Sequence, residues 1–373
     1  MSTRTRRLGF IVNPIAGIGG RVGLKGSDGE EIIKRALELG AEPVAPKRAI
    51  EVLKELFPIR EEITLVTYPH DMGEREAKEA SFVPRVVGEI SPCGTSSEDT
   101  KCAARDMLNI GVDLILFVGG DGTARDILDA VNGRCPVLGV PSGVKIYSGV
   151  FAINPAAAAE ITIKFLRGEI SLHEAEVMDI DEAAFRSGRL SASLYGYMSV
   201  PREPMMVQSL KSAYVLNGDE KANRSAVAKH VVESMKPNIA YIIGPGTTTK
   251  AITDGLGVEK SLLGVDVVRG GVIIAKDVNE ESLLRVLQEG EAKIIVTPIG
   301  RQGFVFGRGN QQISPQVIRE VGRENIIVVA THHKLRNTKV LLVDTGDAEL
   351  DEELRGYMRV VSDYGEEVVR KIE

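Results

Sequence analysis

The chain has 373 residues, of which 43% are hydrophobic and 26% charged, and its formal net charge is −6. At roughly 100 to 200 residues per domain this length predicts two domains, each able to bury an ordinary core. The acidic balance excludes a broad nucleic-acid surface while allowing a local basic cleft, and no apolar run reaches the roughly 18 residues that a membrane span needs.

The first seven residues are basic and lead straight into an apolar stretch without a secretory leader, so a cytoplasmic protein is expected. Leu8-Gly-Phe-Ile-Val12 reads as a short strand, and it runs into Asn13-Pro-Ile-Ala-Gly17-Ile-Gly-Gly20. Ser27 and Glu30 have the spacing of a capping box, and the helix they open ends near Gly40. Residues 62–66 and 85–90 read as strands and 98–108 as a helix. The unbroken apolar run Leu114-Ile-Leu-Phe-Val118 then predicts a strand buried on both faces, as in a parallel sheet. It breaks into Gly119-Gly-Asp-Gly-Thr123, and residues 124–131 resume helical spacing. Alternating strands and helices predict a doubly wound parallel sheet through about residue 150.

Asn154-Pro155 is an N-cap followed by proline, which opens a helix over 156–166 and marks the expected domain change. Strand character follows at 177–180 and 190–200, and residues 207–235 are mixed. Ile239-Ala-Tyr-Ile-Ile243, the loop Gly244-Pro-Gly-Thr-Thr-Thr-Lys250 and a helix over 249–255 form another strand-loop-helix unit. Strands are expected at 263–268, 293–297, 325–330, 339–343 and 357–361, with a helix over 348–355. The second domain, 151–324, is therefore predicted to be β-rich and mixed, with one Rossmann-like unit.

A glycine-rich turn at the carboxyl end of a strand is where open α/β sheets bind ligands, and its backbone N–H groups face negative charge. Taken alone, 119–123 also reads as a tight turn with Asp121 and Thr123 as helix caps. The three cysteines, at 93, 102 and 135, match no zinc spacing and read as free thiols. His332 and His333 follow an apolar strand and, on an extended chain, point to opposite sides, which favours structural or surface roles. Gly17-x-Gly-x-x-Val lacks the acidic partner of a dinucleotide fingerprint.

The two turns occur together. Asn13-Pro-x-x-Gly17 and, about a hundred residues later, Gly119-Gly-Asp-Gly-Thr123 resemble the superfamily of NAD kinases, diacylglycerol kinases and sphingosine kinases. With Gly139-Val-Pro-Ser-Gly-Val-Lys145, the 244–250 loop and the polar stretch 297–312, the chain is similar to the ATP-NAD kinase-like branch that includes acetoin-catabolism protein X. The resemblance implies an NAD kinase-like α/β fold, a nucleotide-binding domain over 1–150, and a 325–373 segment returning toward it. It also implies ATP or a related donor, Mg2+, and a nucleotide-like small molecule as acceptor, with NAD the nominal one. A homo-oligomer is left open.

For the site, the resemblance implies Asp121 as general base or metal organiser. Asn13, Gly17, Gly119, Gly120, Gly122, Thr123, Ser142, Gly143 and Lys145 are expected to hold the donor phosphates, with Lys145 as the cation. Gly246, Thr247, Thr248, Lys250, Arg308 and Asn310 are expected on the acceptor side. The Gly-x-Leu-Gly-Phe-like stretch and the Asn-Glu pair of NAD kinases proper are not found in their expected places, and Asn279-Glu280 reads as a helix start. A kinase for another nucleoside, phosphosugar or acetoin-related metabolite, or a silent nucleotide sensor, therefore stays open.

Overall fold

Leu8, Phe10, Ile11 and Val12 are all fully buried in β1 (Arg6–Val12), at the centre of a sheet covered on both faces. The computed structural model describes residues 5–24, 30–90, 95–143, 146–180, 192–203, 206–207, 218–300 and 302–373. It divides into one unit of Met1–Ile18 with Gly26–Leu210 and a second of Gly19–Lys25 with Lys211–Glu373.

In the first unit the elements after β1 are α1 (Glu30–Glu38), α2 (Ala45–Leu56), β2 (Ile63–Thr67), α3 (Glu74–Glu79), β3 (Arg85–Val86) and α4 (Ser97–Ile110). They continue with β4 (Leu114–Gly119), α5 (Asp121–Val131), β5 (Val137–Pro141), α6 (Pro155–Leu166), β6 (Leu172–Ile180) and β7 (Ala192–Pro201). Five strands pair in parallel in the order β3-β2-β1-β4-β5, as the alternating pattern predicts. The order reverses between β1 and β4, and it is outside the carboxyl ends of strands at such a reversal that open α/β sheets bind ligands.

Local chemistry explains several boundaries. α4 starts at a capping box in which Asp99 N–H reaches the Ser96 hydroxyl and Ser96 N–H reaches the Asp99 carboxylate, and it stops at left-handed Gly111. Asn154 caps α6 by accepting from Ala157 N–H at 2.8 Å, with Pro155 next in line. The strand expected at 85–90 is only two residues long. Gly88 takes φ +72 with its Cα so close to the Tyr68 ring that a Cβ would lie 2.2 Å from it, and this turn ends the pairing. The unpredicted α2 buries Ala45, Ala49, Val52, Leu53 and Leu56 along one stripe. The capping box at Ser27 lies outside the described residues.

The first unit extends to residue 210 rather than 150. Its last hairpin, β6 with β7, is tied to the 148–149 turn through Gly149 N–H to Glu176 O at 2.8 Å and Met178 N–H to the Ser148 hydroxyl at 2.9 Å.

The second unit comprises α7 (Gly218–Ser234), β8 (Ala240–Ile243), α8 (Thr247–Gly255), β9 (Asp266–Arg269), β10 (Val272–Ala275), α9 (Glu280–Gln288), β11 (Ala292–Val296) and β12 (Phe304–Phe306). It continues with α10 (Pro315–Val321), β13 (Ile326–Val329), α11 (His332–Asn337), β14 (Leu342–Val343), α12 (Ala348–Leu354), β15 (Gly356–Asp363) and β16 (Glu366–Ile372). Its seven-stranded mixed sheet runs β10-β9-β8-β11-β13-β15-β16. The segment expected to be a separate 325–373 piece supplies three of these strands. His332 and His333 open α11 instead of lying on extended chain, because the Thr331 hydroxyl caps that helix at Lys334 N–H. The His332 ring meets Glu366 at 3.0 Å.

Candidate active site

β1 and β4 are paired so that Val12 lies opposite Val118, which brings the two glycine-rich turns side by side at the reversal of the sheet. Asn13 N–H continues the ladder to Val118 O at 3.0 Å. Its side chain then ties the turns together: Nδ2 donates to the Thr123 hydroxyl at 3.0 Å and Oδ1 accepts from Ile15 N–H at 3.3 Å. Asn13 and Thr123, expected to touch phosphate, are thus bonded to one another, with Thr123 buried.

The glycines divide into two kinds. Gly17 has φ +81, and a Cβ on it would lie 1.8 Å from the Ser142 carbonyl oxygen. A Cβ on Gly119 would lie 2.4 Å from the Thr123 hydroxyl, and Gly119 O accepts from Ser142 N–H at 3.0 Å. These two let the β1, β4 and β5 loops close on one another. Gly120, at φ −123 and ψ −167, has ordinary extended backbone, and the nearest atom to a Cβ there is Gly143 Cα at 3.4 Å. Gly122 stands in the first turn of α5. Ser142 is buried, and its hydroxyl has no hydrogen-bond partner among the described residues. Lys145 lies outside the described residues.

Asp121 is the first residue of α5 and 8% exposed. Its Oδ2 accepts from Tyr147 N–H and its Oδ1 from Ser148 N–H, both at 2.9 Å. Burial pushes its carboxyl up to about 6, opposed by the Ser148 hydroxyl, the two backbone N–H groups and the charge of Arg125. Arg125, one turn further along α5, is paired with Asp179 of β6. A carboxylate so placed is ionised at neutral pH and is a better proton acceptor than an exposed one, at the carboxyl end of β4. The Tyr147 and Ser148 amides that anchor it follow the 139–145 motif, but amides leave no mark in a sequence.

In the second unit Gly246, at φ +124, caps α8, and the Thr249 hydroxyl closes the loop by donating to Gly244 O at 2.7 Å and Gly246 O at 3.0 Å. Thr247 is exposed, while Thr248 is fully buried with a hydroxyl that has no partner among the described residues. Lys250 is paired along the helix with Asp254, so its charge is directed toward the carboxyl end of α8 and not into the loop. Arg308 and Asn310 are each 5% exposed. Arg308 pairs with Asp344, donates to Gly307 O at 3.0 Å and lies 4.9 Å above the Phe304 ring. Asn310 bonds Val305 O at 2.9 Å and Gly307 N–H at 3.1 Å, so both side chains build the 304–310 loop. Arg308→Met should accordingly lower unfolding stability by about 3–5 kcal/mol in chemical denaturation, because it removes one partner of a buried ion pair.

Two family models match, the ATP-NAD kinase N-terminal domain over residues 8–170 and the ATP-NAD kinase C-terminal domain over 237–371. An NAD kinase of Thermoplasma volcanium is 30% identical over 102 residues, which is 26% of this chain and 36% of that protein, so the match spans about a third of the relative's length. A crystal structure described as a UDP-N-acetylglucosamine 2-epimerase from Listeria monocytogenes covers 92% of this chain and 75% of its own at 11% identity, but its TM-score of 0.28 carries no argument. With both domain models matched in order over most of its length, the chain belongs to the ATP-NAD kinase family.

Proposed function

We propose that this protein transfers the γ-phosphoryl group of ATP to a ribose hydroxyl of NAD, giving NADP and ADP. The observation that carries the reading is Asp121, a buried carboxylate held ready by two backbone N–H groups where both glycine turns meet at the sheet reversal. The N–H groups of the first turn of α5 take the donor phosphates at Gly120, where the backbone is open. The acceptor hydroxyl gives its proton to Asp121 as its oxygen bonds to the γ-phosphorus and the bond to the β-phosphate oxygen breaks. Asn13 and Thr123 act by holding the two turns in register, and Lys145 remains the candidate cation.

Among the described residues no cluster of three or more His, Cys, Asp or Glu side chains could hold a metal unaided. Mg2+ fits here as an ion brought by the donor's phosphates, with Asp121 the nearest carboxylate to them, and its chemistry would be to offset their charge. Among the same residues no helix is long and apolar enough to cross a membrane. A cytoplasmic location is compatible with a reaction on ATP and NAD.

The 244–250 loop is assigned to the acceptor. Thr248→Val removes a buried hydroxyl without changing shape, so it should leave stability unchanged or raised while increasing the acceptor KM, by up to the ~0.5–1.5 kcal/mol that one hydrogen bond contributes. An unchanged KM would take Thr248 out of the site.

A second reading, phosphoryl transfer to a different nucleoside or a phosphosugar, is favoured by the missing Gly-x-Leu-Gly-Phe-like stretch after β5. Purified protein with Mg2+ and ATP, other triphosphates or polyphosphate should be offered NAD, NADH, nucleosides and phosphosugars, with products read by mass spectrometry. NADP formation establishes the first reading. A phosphate gained only by another acceptor establishes the second, and tight ATP binding without any product marks a sensor.

A further inference from the structure

Lys260 and Asp266 form an ion pair with both side chains fully buried, at 3.9 Å, in the loop between α8 and β9. The Lys260 ammonium donates to Ser261 O at 2.7 Å and Gly264 O at 2.9 Å, winding the loop around itself. Asp266 accepts from Ser261 N–H at 2.6 Å, the Ser261 hydroxyl at 2.8 Å and Asp277 N–H at 2.6 Å. There is no slack: a Cβ on Gly264 would lie 2.0 Å from Asp277 Oδ1.

Two glycine-rich segments rest on this knot. Asp266 pairs with Ile243, the residue before Gly244, and Leu262 O, inside the wound loop, accepts from Gly246 N–H at 3.0 Å. On the other side, Asp277 N–H and the bond from Val278 N–H to Val265 O at 2.8 Å fix the start of α9. There Glu280 N–H reaches Arg21 O at 3.2 Å, and Gly23 lies against Val278 and Asn279. Residues 19–24, which follow β1 in sequence, belong to the second unit through these contacts.

We propose that Lys260 and Asp266 are positioning residues whose buried ion pair sets the 244–250 loop and the 19–24 segment together. A loop wound only for stability needs no buried charge, since apolar side chains of similar volume pack as well; a carboxylate fixed by three donors beside an ammonium fixed by two carbonyls specifies one geometry. The structural part of this inference stands on the bonds above, and only its kinetic consequence rests on assigning the 244–250 loop to the acceptor.

The test is Lys260→Met, which keeps the length and removes the charge. Hydrogen exchange by mass spectrometry should show protection lost by about tenfold in peptides covering 19–24 and 244–250, with β11 and β13 unchanged. The acceptor KM should rise about tenfold while kcat and ATP affinity stay near wild type. Should Lys260→Met not fold, Ser261→Ala removes a single donor to Asp266 and should loosen the same two segments to a lesser degree. Wild-type protection in both segments, or protection lost evenly across the whole unit, overturns the proposal. If the wild-type protein phosphorylates no acceptor, the proposed function fails, and the exchange result still decides the positioning role.

Discussion

Asp121→Asn should lower turnover by about 10²–10⁴ while leaving ATP affinity within a few-fold, because it keeps the shape of the side chain and removes the group that takes the acceptor's proton. The pH profile identifies the cause. With the Asp121 carboxyl pushed up to about 6 by burial, wild-type kcat/KM should fall roughly tenfold per unit as pH drops below about 6, and the variant should lose that limb. Asp126, on the next turn of α5, is also raised to about 6 by burial against the pull of Lys101 and Arg125, so Asp126→Asn is the control and should keep the limb. If Asp126→Asn abolishes the limb and Asp121→Asn does not, the base is misassigned.

Stability gives an independent check with a definite sign. The folded-state value of Asp121 lies above its ordinary 3.8, so the native protein binds that proton more tightly than the unfolded chain. Its contribution is therefore full below about pH 4 and is lost as pH rises through about 6, a swing on the order of 3 kcal/mol. Denaturation measured at pH 4 and pH 7 should show this slope in wild type and a flatter one in Asp121→Asn. Asparagine must also turn an NH2 toward the Tyr147 or Ser148 N–H, so its absolute stability falls at both pH values. The change in slope, and not the drop, reports the carboxylate.

What could be read from the sequence is what short stretches of chain decide. The cap at Asn154, the helix expected at 98–108, the buried run of β4 and the turn after it depend on residues within a few positions of one another, and all lie close to where the pattern puts them. The start of α9 at Asn279 is legible for the same reason, its side chain accepting from Ser282 N–H. Contacts between distant segments are not legible. Nothing in Arg308 or Asn310 as letters says that their donors are committed to Asp344 and Val305, and nothing in Lys260 says that it is buried. That β6 and β7 join the first unit is equally silent in the sequence, because they do so through a turn at 148–149 whose bonds are backbone amides and a serine. The histidines keep the structural or surface role the sequence favours, but a single cap at Thr331 sets them in a helix and not on extended chain.

Gly17→Ala and Gly120→Val should fail in different ways, and the difference locates the donor. At Gly17 the left-handed backbone alone costs a side chain about 1–2 kcal/mol, and a Cβ 1.8 Å from the Ser142 carbonyl cannot be relieved by a rotamer change, so the β1 and β5 loops must separate. Stability and ATP affinity should fall together. At Gly120 the backbone is extended and a Cβ meets, among the described residues, Gly143 Cα at 3.4 Å and Gly143 N at 4.0 Å, both ordinary contacts, so valine should be accommodated and Tm should stay close to wild type. Its methyl groups nevertheless stand over the N–H groups that open α5, where a phosphate must approach to hydrogen-bond distance. Losing one or more charge-assisted bonds, at about 1.5–3 kcal/mol each, should weaken ATP binding by about tenfold or more in calorimetry. If Gly120→Val keeps both its stability and its ATP affinity, the first turn of α5 does not hold the donor. The phosphates would then have to be sought beside Ser142, whose buried hydroxyl has no partner among the described residues.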